Sequence, residues 1–349
     1  MSINVLIIDD SAFMRKIISD ILTTNDGIRV VGVARNGKEA IEKLKSVHVD
    51  VITLDVEMPI MDGLTCLAAI MKDTPVPVIM LSSLTSEGAD ATIRALELGA
   101  IDFITKPKNL FSMQRSHLVD EIIEKVKIAS KTKVSTDIRS VANIQKPKNV
   151  THSHKLGKIV AIGTSTGGPR ALQQVLPFIP GDIPAAFVIV QHMPPGFTKS
   201  LATRLDGMSE LTIKEAQDGD VIAAGCAYIA PGDFHMHFEK KKQKEDIVIK
   251  LTKEKPVLGH RPSVNVMMES LSDTGFANII GVIMTGMGTD GCEGLKKLKQ
   301  HNCSKIIAQD EHSCIVYGMP RAAVQQGIVD TVVPLQDISK EVIKIMGVS

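Results

Sequence analysis

The stretch Val160-Ala161-Ile162-Gly163-Thr164-Ser165-Thr166-Gly167-Gly168-Pro169 decides how the chain is read. The run from Lys158 to Ile162, apolar after its first residue, has the pattern of a parallel strand buried on both faces, and it stops at Gly163. Beyond Pro169, residues Ala171, Leu172, Val175 and Leu176 recur at helical spacing. Strand, tight turn and helix in succession put Ser165 at the carboxyl end of a strand, where open α/β sheets bind their ligands. The glycines are expected to leave room for another backbone or a substrate. Taken alone, the stretch favours a Gly-rich connector with a spectator serine, because most such turns carry no catalysis.

Working outward toward the C-terminus, Ala186 to Gln191 reads as a buried strand ending at His192. Met193-Pro194-Pro195-Gly196 is a turn and Phe197 to Leu205 a helix. Val221, Ala227 to Pro231, Phe234 to Phe238 and Ile247 to Leu251 alternate around turns and suggest an inserted antiparallel hairpin. Val264 to Leu271 is helical, and Ile279 to Met284 is a strand running into Thr285-Gly286-Met287-Gly288-Thr289-Asp290-Gly291. Helices over Leu295 to Leu298, Pro320 to Gln325 and Ile338 to Ile345, with a strand over Ile306 to Ala308, complete an α/β pattern with a mostly parallel sheet.

Three complementary groups follow strands of this sheet: Ser165, His192 and Asp290. A serine needs a base to take its proton, and the base needs a carboxylate to fix its tautomer and stabilise the imidazolium. Each residue lies in a Gly- or Pro-rich turn whose backbone N–H groups can line an oxyanion hole. Singly, His192 could be a hydrogen-bonded structural histidine and Asp290 an N-cap for the helix after Gly291. Together at one sheet edge they favour catalysis. The turn is read as lacking the Gly-x-Ser-x-Gly elbow of α/β-hydrolases, and the order Ser, His, Asp also differs from that fold.

Toward the N-terminus, strands Ile3 to Ile8, Val30 to Ala34, Val49 to Leu54, Pro77 to Leu81 and Asp102 to Ile104 alternate with helices. The helices span Ala12 to Leu22, Gly37 to Leu44, Leu64 to Met71, Glu87 to Leu98 and Leu118 to Ile128. Strict alternation predicts a doubly wound parallel sheet. Asp9, Asp10, Asp55, Ser82 and Lys106 fall just after strand ends, so they can converge on one edge. Adjacent carboxylates call for a cation, and oxygen ligands with open positions suit Mg²⁺. Lys106 and Ser82 can contact phosphoryl oxygens, and a carboxylate there can accept a phosphoryl group. Asp10 or Ser11 could alternatively serve as a helix cap.

The bulk numbers agree with two domains. The chain has 349 residues, 44% of them hydrophobic, and a formal charge of +1, which argues against a nucleic-acid surface spread over the molecule. Its five cysteines form no Cys-x-x-Cys pair and read as reduced thiols of a cytoplasmic chain without a signal peptide. No apolar run is long enough for a membrane helix. Residues 130–155 lose all apolar periodicity and read as a linker, with His152 and His154 solvated rather than metal-binding. Lys240-Lys241-Lys242 reads as a hairpin tip. A nucleotide-binding oxidoreductase is disfavoured, since Gly163, Gly167 and Gly168 do not spell Gly-x-Gly-x-x-Gly. A DNA-binding output is disfavoured by the length and strand content of the second half.

The first segment resembles the response-regulator receiver domain, through Asp9-Asp10, Leu54-Asp55-Val56-Glu57-Met58-Pro59, Asp62-Gly63, Leu81-Ser82-Ser83 and Lys106-Pro107. The resemblance implies a flavodoxin-like five-stranded fold over residues 1–129 and phosphorylation of Asp55 by a chemotaxis histidine kinase. It implies Mg²⁺ held by Asp9, Asp10, Asp55 and the Glu57 carbonyl, with Ser82, Phe103 and Lys106 as switch residues. Phe103 could equally be core packing. Residues 156–349 resemble the catalytic domain of the chemotaxis protein-glutamate methylesterase family. The stretches that carry this include Ile162 to Pro169, Gln191-His-Met-Pro-Pro-Gly-Phe-Thr, Ala230-Pro-Gly-Asp-Phe-His-Met and Arg261-Pro-Ser-Val. Met284 to Gly291, Ala308-Gln-Asp and Tyr317-Gly-Met-Pro complete the set.

That family implies Ser165 as nucleophile, His192 as base and Asp290 as its orienter, with Thr166 and Met287 at the site. It implies hydrolysis of glutamate methyl esters on methyl-accepting chemoreceptors, deamidation of receptor glutamines, and no cofactor for the hydrolysis. A receiver that covers the site until phosphorylated, a monomeric state, and neither nucleic-acid binding nor membrane insertion are expected with it. Two departures stand out: Thr164, where Ala is frequent, and Asn265, where an Asp is usual and whose role the sequence leaves open.

Overall fold

In a computed structural model the described residues are 2–106, 115–132, 155–241, 246–301 and 305–347. Pro107, Lys242, Cys303 and most of the expected linker, with His152 and His154, lie outside them. The chain divides into two compact units, Met1–Ile138 and Arg139–Ser349.

The first unit alternates strand and helix: β1 (Ile3–Ile8), α1 (Ala12–Thr23), β2 (Ile28–Ala34), α2 (Gly37–Leu44), β3 (Val51–Asp55), α3 (Gly63–Asp73), β4 (Val78–Ser82), α4 (Ser86–Glu97), β5 (Asp102–Thr105) and α5 (Arg115–Ala129). The strands pair in parallel in the order β2-β1-β3-β4-β5, the flavodoxin-like arrangement. Their central residues are buried on both faces: Val5, Ile7, Ile8, Val51, Ile52 and Leu54 are 0% exposed, as the unbroken apolar runs require. Side chains of Ser11, Asn36, Asp62 and Thr85 accept first-turn N–H groups and start α1 to α4. Ser11, rather than Asp10, therefore caps the first helix.

The second unit contains β6 (Lys158–Thr164), α6 (Gly168–Val175), β7 (Ala185–Gln191), α7 (Phe197–Asp206), β8 (Thr212–Glu215), β9 (Cys226–Ile229), β10 (His235–Lys240), β11 (Ile247–Thr252), α8 (Val264–Asp273), β12 (Ile279–Ile283), α9 (Cys292–His301), β13 (Lys305–Gln309), α10 (Met319–Gln325), β14 (Thr331–Val333) and α11 (Ile338–Met346). Seven strands form a parallel sheet in the order β14-β13-β12-β6-β7-β9-β8. β10 and β11 form the antiparallel hairpin. One expectation is corrected: the run Ala227 to Pro231 belongs to the parallel sheet, beside β7, and not to the hairpin. Val221 contributes only an isolated bridge to Val248.

The hairpin supports the fold by packing. Phe238, Ile247 and Ile249 are buried in one cluster with Met267 and Leu271 of α8, Leu295 and Leu298 of α9, and strands of the parallel sheet. Each such side chain contributes about 1.5–3 kcal/mol when fully buried. The Phe238 N–H donates to Ser270 Oγ at 2.8 Å, tying the hairpin to α8. This anchoring matters because the N-terminus of α8 reaches the candidate site.

Candidate active site and acidic cluster

Strand register brings the three predicted groups together. β6 pairs with β7 so that Thr164 faces Gln191, and with β12 so that Gly163 faces Ile283. Ser165 and His192 therefore leave adjacent strands side by side, with the turn after Ile283 on the other flank. From β6 the chain proceeds to β7 on one side and later to β12 on the other, so Ser165 stands at the topological switch point.

His192 Nε2 lies 2.8 Å from Asp290 Oδ2. The two side chains are 7% and 1% exposed, so water screens this contact little. Asp290 also accepts from Ser263 Oγ at 2.9 Å, Val264 N at 2.7 Å and Asn265 N at 3.0 Å. Val264 and Asn265 open α8, whose first N–H groups have no partner within the helix. Burial works to raise the Asp290 carboxyl, but the hydrogen bond and charge of His192 and the N–H groups of Asn265 and Val264 outweigh it. The carboxyl sits below its ordinary range and is ionised. An ionised carboxylate only accepts, so the proton of this contact is on Nε2, and in the neutral ring the lone pair is on Nδ1.

Nδ1 is buried and makes no hydrogen bond among the described residues. The structure thus forms the carboxylate–imidazole link but not the serine–imidazole link. Relative to the usual relay, the ring nitrogens have exchanged places, with Nε2 on the carboxylate. Asp290 does not cap the helix after Gly291. Asn265 does that: its Oδ1 accepts from Gly291 N at 2.9 Å and Gly294 N at 3.0 Å. Asp290 accepts the first two N–H groups of α8, which Ser263 caps, and α8 returns an acceptor to α9 through Asn265. A neutral acceptor suffices at position 265, which accounts for the departure noted in the sequence.

The nucleophile turn is fixed from both sides. Gln191 Oε1 accepts from Thr164 Oγ1 at 2.6 Å, while its Nε2 donates to the Ser165 and His192 carbonyls at 2.9 and 3.2 Å. Ser165 N donates to the Thr285 carbonyl at 3.0 Å, and Thr285 Oγ1 donates to the Thr166 carbonyl at 2.9 Å. Gln309 Oε1 accepts from Thr285 N at 2.8 Å. A Cβ on Gly286 would stand 2.8 Å from Ser165 Cβ, so only glycine lets these two turns meet. Thr166 is buried, and Met287 follows Gly286 in the same turn, half-buried.

Two sequence readings change here. The glycines of the opening stretch face the protein's own interior: Gly163 abuts Val264, Gly167 abuts Ile315, and Gly168 abuts Gln191 and Thr164. They provide tight packing, not substrate room. Gly163-Thr164-Ser165-Thr166-Gly167 does spell Gly-x-Ser-x-Gly, yet Ser165 is absent from the positive-φ residues, unlike the strained elbow that spacing usually marks.

Sequence reasoning missed His260, Gln191, Gln309 and Ser263. The His260 ring stacks on His192, with centroids 3.8 Å apart and planes 9° apart. Burial, reinforced by the charge of His192 and opposed by Asp290, pushes His260 down to about 4. His260 immediately precedes Arg261-Pro-Ser-Val, and both glutamines sit inside quoted stretches. Their proximity to matched motifs was the available signal.

In the first unit Ile8 pairs with Leu54, which sets Asp9 beside Asp55. Lys106 Nζ lies 2.6 Å from Asp55 Oδ2 and 2.9 Å from Asp9 Oδ2. Asp9, Asp10 and Asp55 bring ligand oxygens within 4.8 Å of one another. Burial raises the Asp55 carboxyl to about 6 despite Lys106, while the two carboxylates hold the lysine above its ordinary value against burial. Two buried carboxylates and one exposed carboxylate sharing a single lysine are a donor set that suits a hard divalent cation. The Glu57 N–H donates to Asp55 Oδ1 at 3.3 Å. Beside the cluster opens a depression of about 500 Å³ lined by Asp10, Val56, Glu57, Met58, Pro59 and Leu64.

Ser82 and Phe103 do not join this cluster. Ser82 is fully buried, and its hydroxyl donates to the Gly88 carbonyl at 3.0 Å and lies 2.7 Å from Thr92 Oγ1. Phe103 is 5% exposed, with Lys125 Nζ 5.4 Å from its ring centroid. The described cysteines, Cys66, Cys226, Cys292 and Cys314, are free thiols. Among the described residues no helix is long and apolar enough to cross a membrane.

The fold and the two clusters define a class: an acidic receiver-type α/β unit in one chain with an α/β unit bearing a hydrolase-type histidine–carboxylate pair. Residues 5–116 match the response regulator receiver domain model and residues 160–342 the CheB methylesterase model. The chain belongs to the CheB methylesterase family. It is 48% identical over 348 residues to the protein-glutamate methylesterase/protein-glutamine glutaminase of Geobacillus kaustophilus, covering 99% of both chains. A protein of the same name from Pyrococcus horikoshii is 48% identical over 345 residues, covering 98% of this chain and 93% of that one. The crystal structure of the Thermotoga maritima CheB methylesterase catalytic domain is 43% identical, covers 55% of this chain and 99% of that chain, and aligns with a TM-score of 0.52.

Proposed function

We propose that this chain hydrolyses glutamate γ-methyl esters on chemoreceptors to glutamate and methanol, and deamidates receptor glutamines, for sensory adaptation in the cytoplasm. The observation that carries the reading is the buried His192–Asp290 contact beside the Ser165 turn, with Nδ1 left to act as base. Family membership supplies the substrate class.

Ser165 Oγ attacks the γ-carbonyl carbon while His192 Nδ1 takes its proton, and Asp290 stabilises the imidazolium. The oxyanion develops near Thr166 and Met287, where the Met287 N–H serves as a donor. The proton on Nδ1 passes to the leaving methoxide, so methanol departs and an acyl-serine remains. Water attacks that ester, His192 again accepts and returns the proton, and the free glutamate leaves. For a glutamine the first leaving group is ammonia.

The domain bounds that fit this reading are a receiver over 1–129, a linker over 130–155 and the catalytic domain over 156–349. In the receiver, Asp55 accepts a phosphoryl group from a chemotaxis histidine kinase, and phosphorylation raises hydrolysis. Asp9, Asp10, Asp55 and the Glu57 carbonyl would hold Mg²⁺, which when bound neutralises charge on phosphoryl oxygens. Lys106 already bridges Asp9 and Asp55, so it can follow the charge at Asp55. Ser82 and Phe103 are assigned as switch residues by resemblance, and either would have to move from its present buried contacts.

The test is methanol release from methylated receptor membranes by the full chain, with and without a small-molecule phosphodonor. Ser165→Ala should abolish release while Asp55 remains phosphorylatable. Retained turnover in that variant rules out the serine as nucleophile.

A further inference from the structure

We infer that His260 is a positioning residue for the base: its stacked ring fixes the plane of His192, holding Nε2 on Asp290 and Nδ1 toward the reacting serine. This rests on the Ser165–His192–Asp290 reading and deepens it. The His192 side chain has a hydrogen bond at Nε2 only, so that contact alone leaves the ring free to rock about the Nε2–Oδ2 axis. A second ring 3.8 Å away and within 9° of parallel removes that freedom.

The stack is itself firmly held. His260 and Val257 exchange backbone hydrogen bonds of 2.9 and 3.0 Å across a tight turn at Leu258 and Gly259. The next residue, Arg261, bonds the Asp233 carboxylate and donates to the Lys253 and Glu254 carbonyls at 3.2 and 2.7 Å. Two residues beyond Arg261, Ser263, Val264 and Asn265 grip Asp290. One short segment, 260–265, therefore sets both the base and the carboxylate that orients it.

The same arrangement serves the imidazolium formed during turnover. A neutral aromatic face beside a cation is attractive, whereas a second imidazolium at that distance would repel it. The titratable groups acting on His260 are His192 and Asp290, and burial keeps His260 neutral well into the acid range.

The experiment compares His260→Leu, which fills the space without a planar ring, with His260→Phe, which keeps the ring, in the phosphorylated full chain. Methanol release from methylated receptor membranes is followed as a function of pH. His260→Leu should lower kcat by roughly 10- to 100-fold with little change in KM, as expected for a misplaced base. Its acid limb should move to lower pH, because the imidazolium loses its facing ring. His260→Phe should recover kcat to within about 3-fold of the parent, the ring face being retained. Nitrogen NMR of His192 should report the Nε2–H tautomer in the parent and the Phe variant, and a mixture in the Leu variant. Unchanged kcat and acid limb in His260→Leu, or equal loss in both variants, overturns the inference. Ser165→Ala run alongside separates the outcomes: turnover there sinks the nucleophile assignment, whereas an inactive Ser165→Ala with a fully active His260→Leu sinks only the role of His260.

Discussion

At the scale of single residues, the site depends on which atoms are left unsatisfied. Asp290 is saturated by four donors, and His192 Nδ1 is not. Asp290→Asn would present an amide where three N–H or O–H groups and an imidazole N–H all donate. The histidine would then favour the wrong tautomer, and methanol release should fall by about 10⁴ in kcat. A fall of less than tenfold would mean that Asp290 does not orient the base. Asn265→Asp makes a complementary prediction. The carboxylate can still accept from Gly291 N and Gly294 N, so the fold should persist. A second negative charge beside Asp290 favours the imidazolium, so the acid limb of kcat/KM should move to higher pH. Ser165, His192 and Asp290 were legible because each follows a strand and the three are chemically complementary. His260 was not, because nothing in the sequence says that a histidine in the Val257-Leu258-Gly259 turn will fold onto another histidine 68 positions earlier in the chain. The exchange of ring nitrogens was equally hidden, since it depends on the direction from which the turn between β12 and α9 delivers Asp290.

At the scale of elements, the N-terminus of α8 is where fold and site coincide. Ser263 caps the helix through Val266 N at 3.4 Å and donates to Asp290 at 2.9 Å. Ser263→Ala removes both, so it should cost about 1–2 kcal/mol in unfolding of the catalytic unit and lower kcat as well. Loss of stability with kcat untouched would confine Ser263 to a structural role. The strands of the first unit were readable because each is a buried apolar run set off by turn residues. In the second unit Ala227 to Pro231 was drawn into the hairpin because it lies between turns near genuine hairpin strands. Tertiary pairing with Phe187 to Ile189 overrides that local pattern. β8 and β14 were missed because they are edge strands with alternating or partly exposed residues, and periodicity over three or four residues carries little information.

At the scale of the whole molecule, the two units can be followed separately, and this makes the acidic cluster testable without any activity assay. The chain has no tryptophan, and its two tyrosines, Tyr228 and Tyr317, both lie in the second unit. Tyrosine fluorescence therefore reports that unit alone, while calorimetry of the full chain registers both. Asp55 is raised from 3.8 to about 6 in the folded receiver, so the folded state holds its proton more tightly than the unfolded chain. The stability this contributes is fully present below the unfolded value and is lost as pH rises through about 6. Asp55→Asn cannot ionise, so its receiver transition should lie above that of the parent at pH 7, and the difference should close toward pH 4. Mg²⁺ favours the ionised carboxylate and binds only the folded cluster. Millimolar Mg²⁺ should therefore raise the parent's receiver transition at pH 7, with a much smaller effect on Asp55→Asn and none on the tyrosine signal. A parent transition indifferent to Mg²⁺ would remove the cation from the cluster, and a variant no more stable than the parent at pH 7 would remove the buried charge as its source of strain. The outcome also bears on control of hydrolysis. A site that holds a costly charge in the resting state gains stability from any cation or phosphoryl group that rearranges it. That differential is what a phosphorylation switch at Asp55 would draw upon.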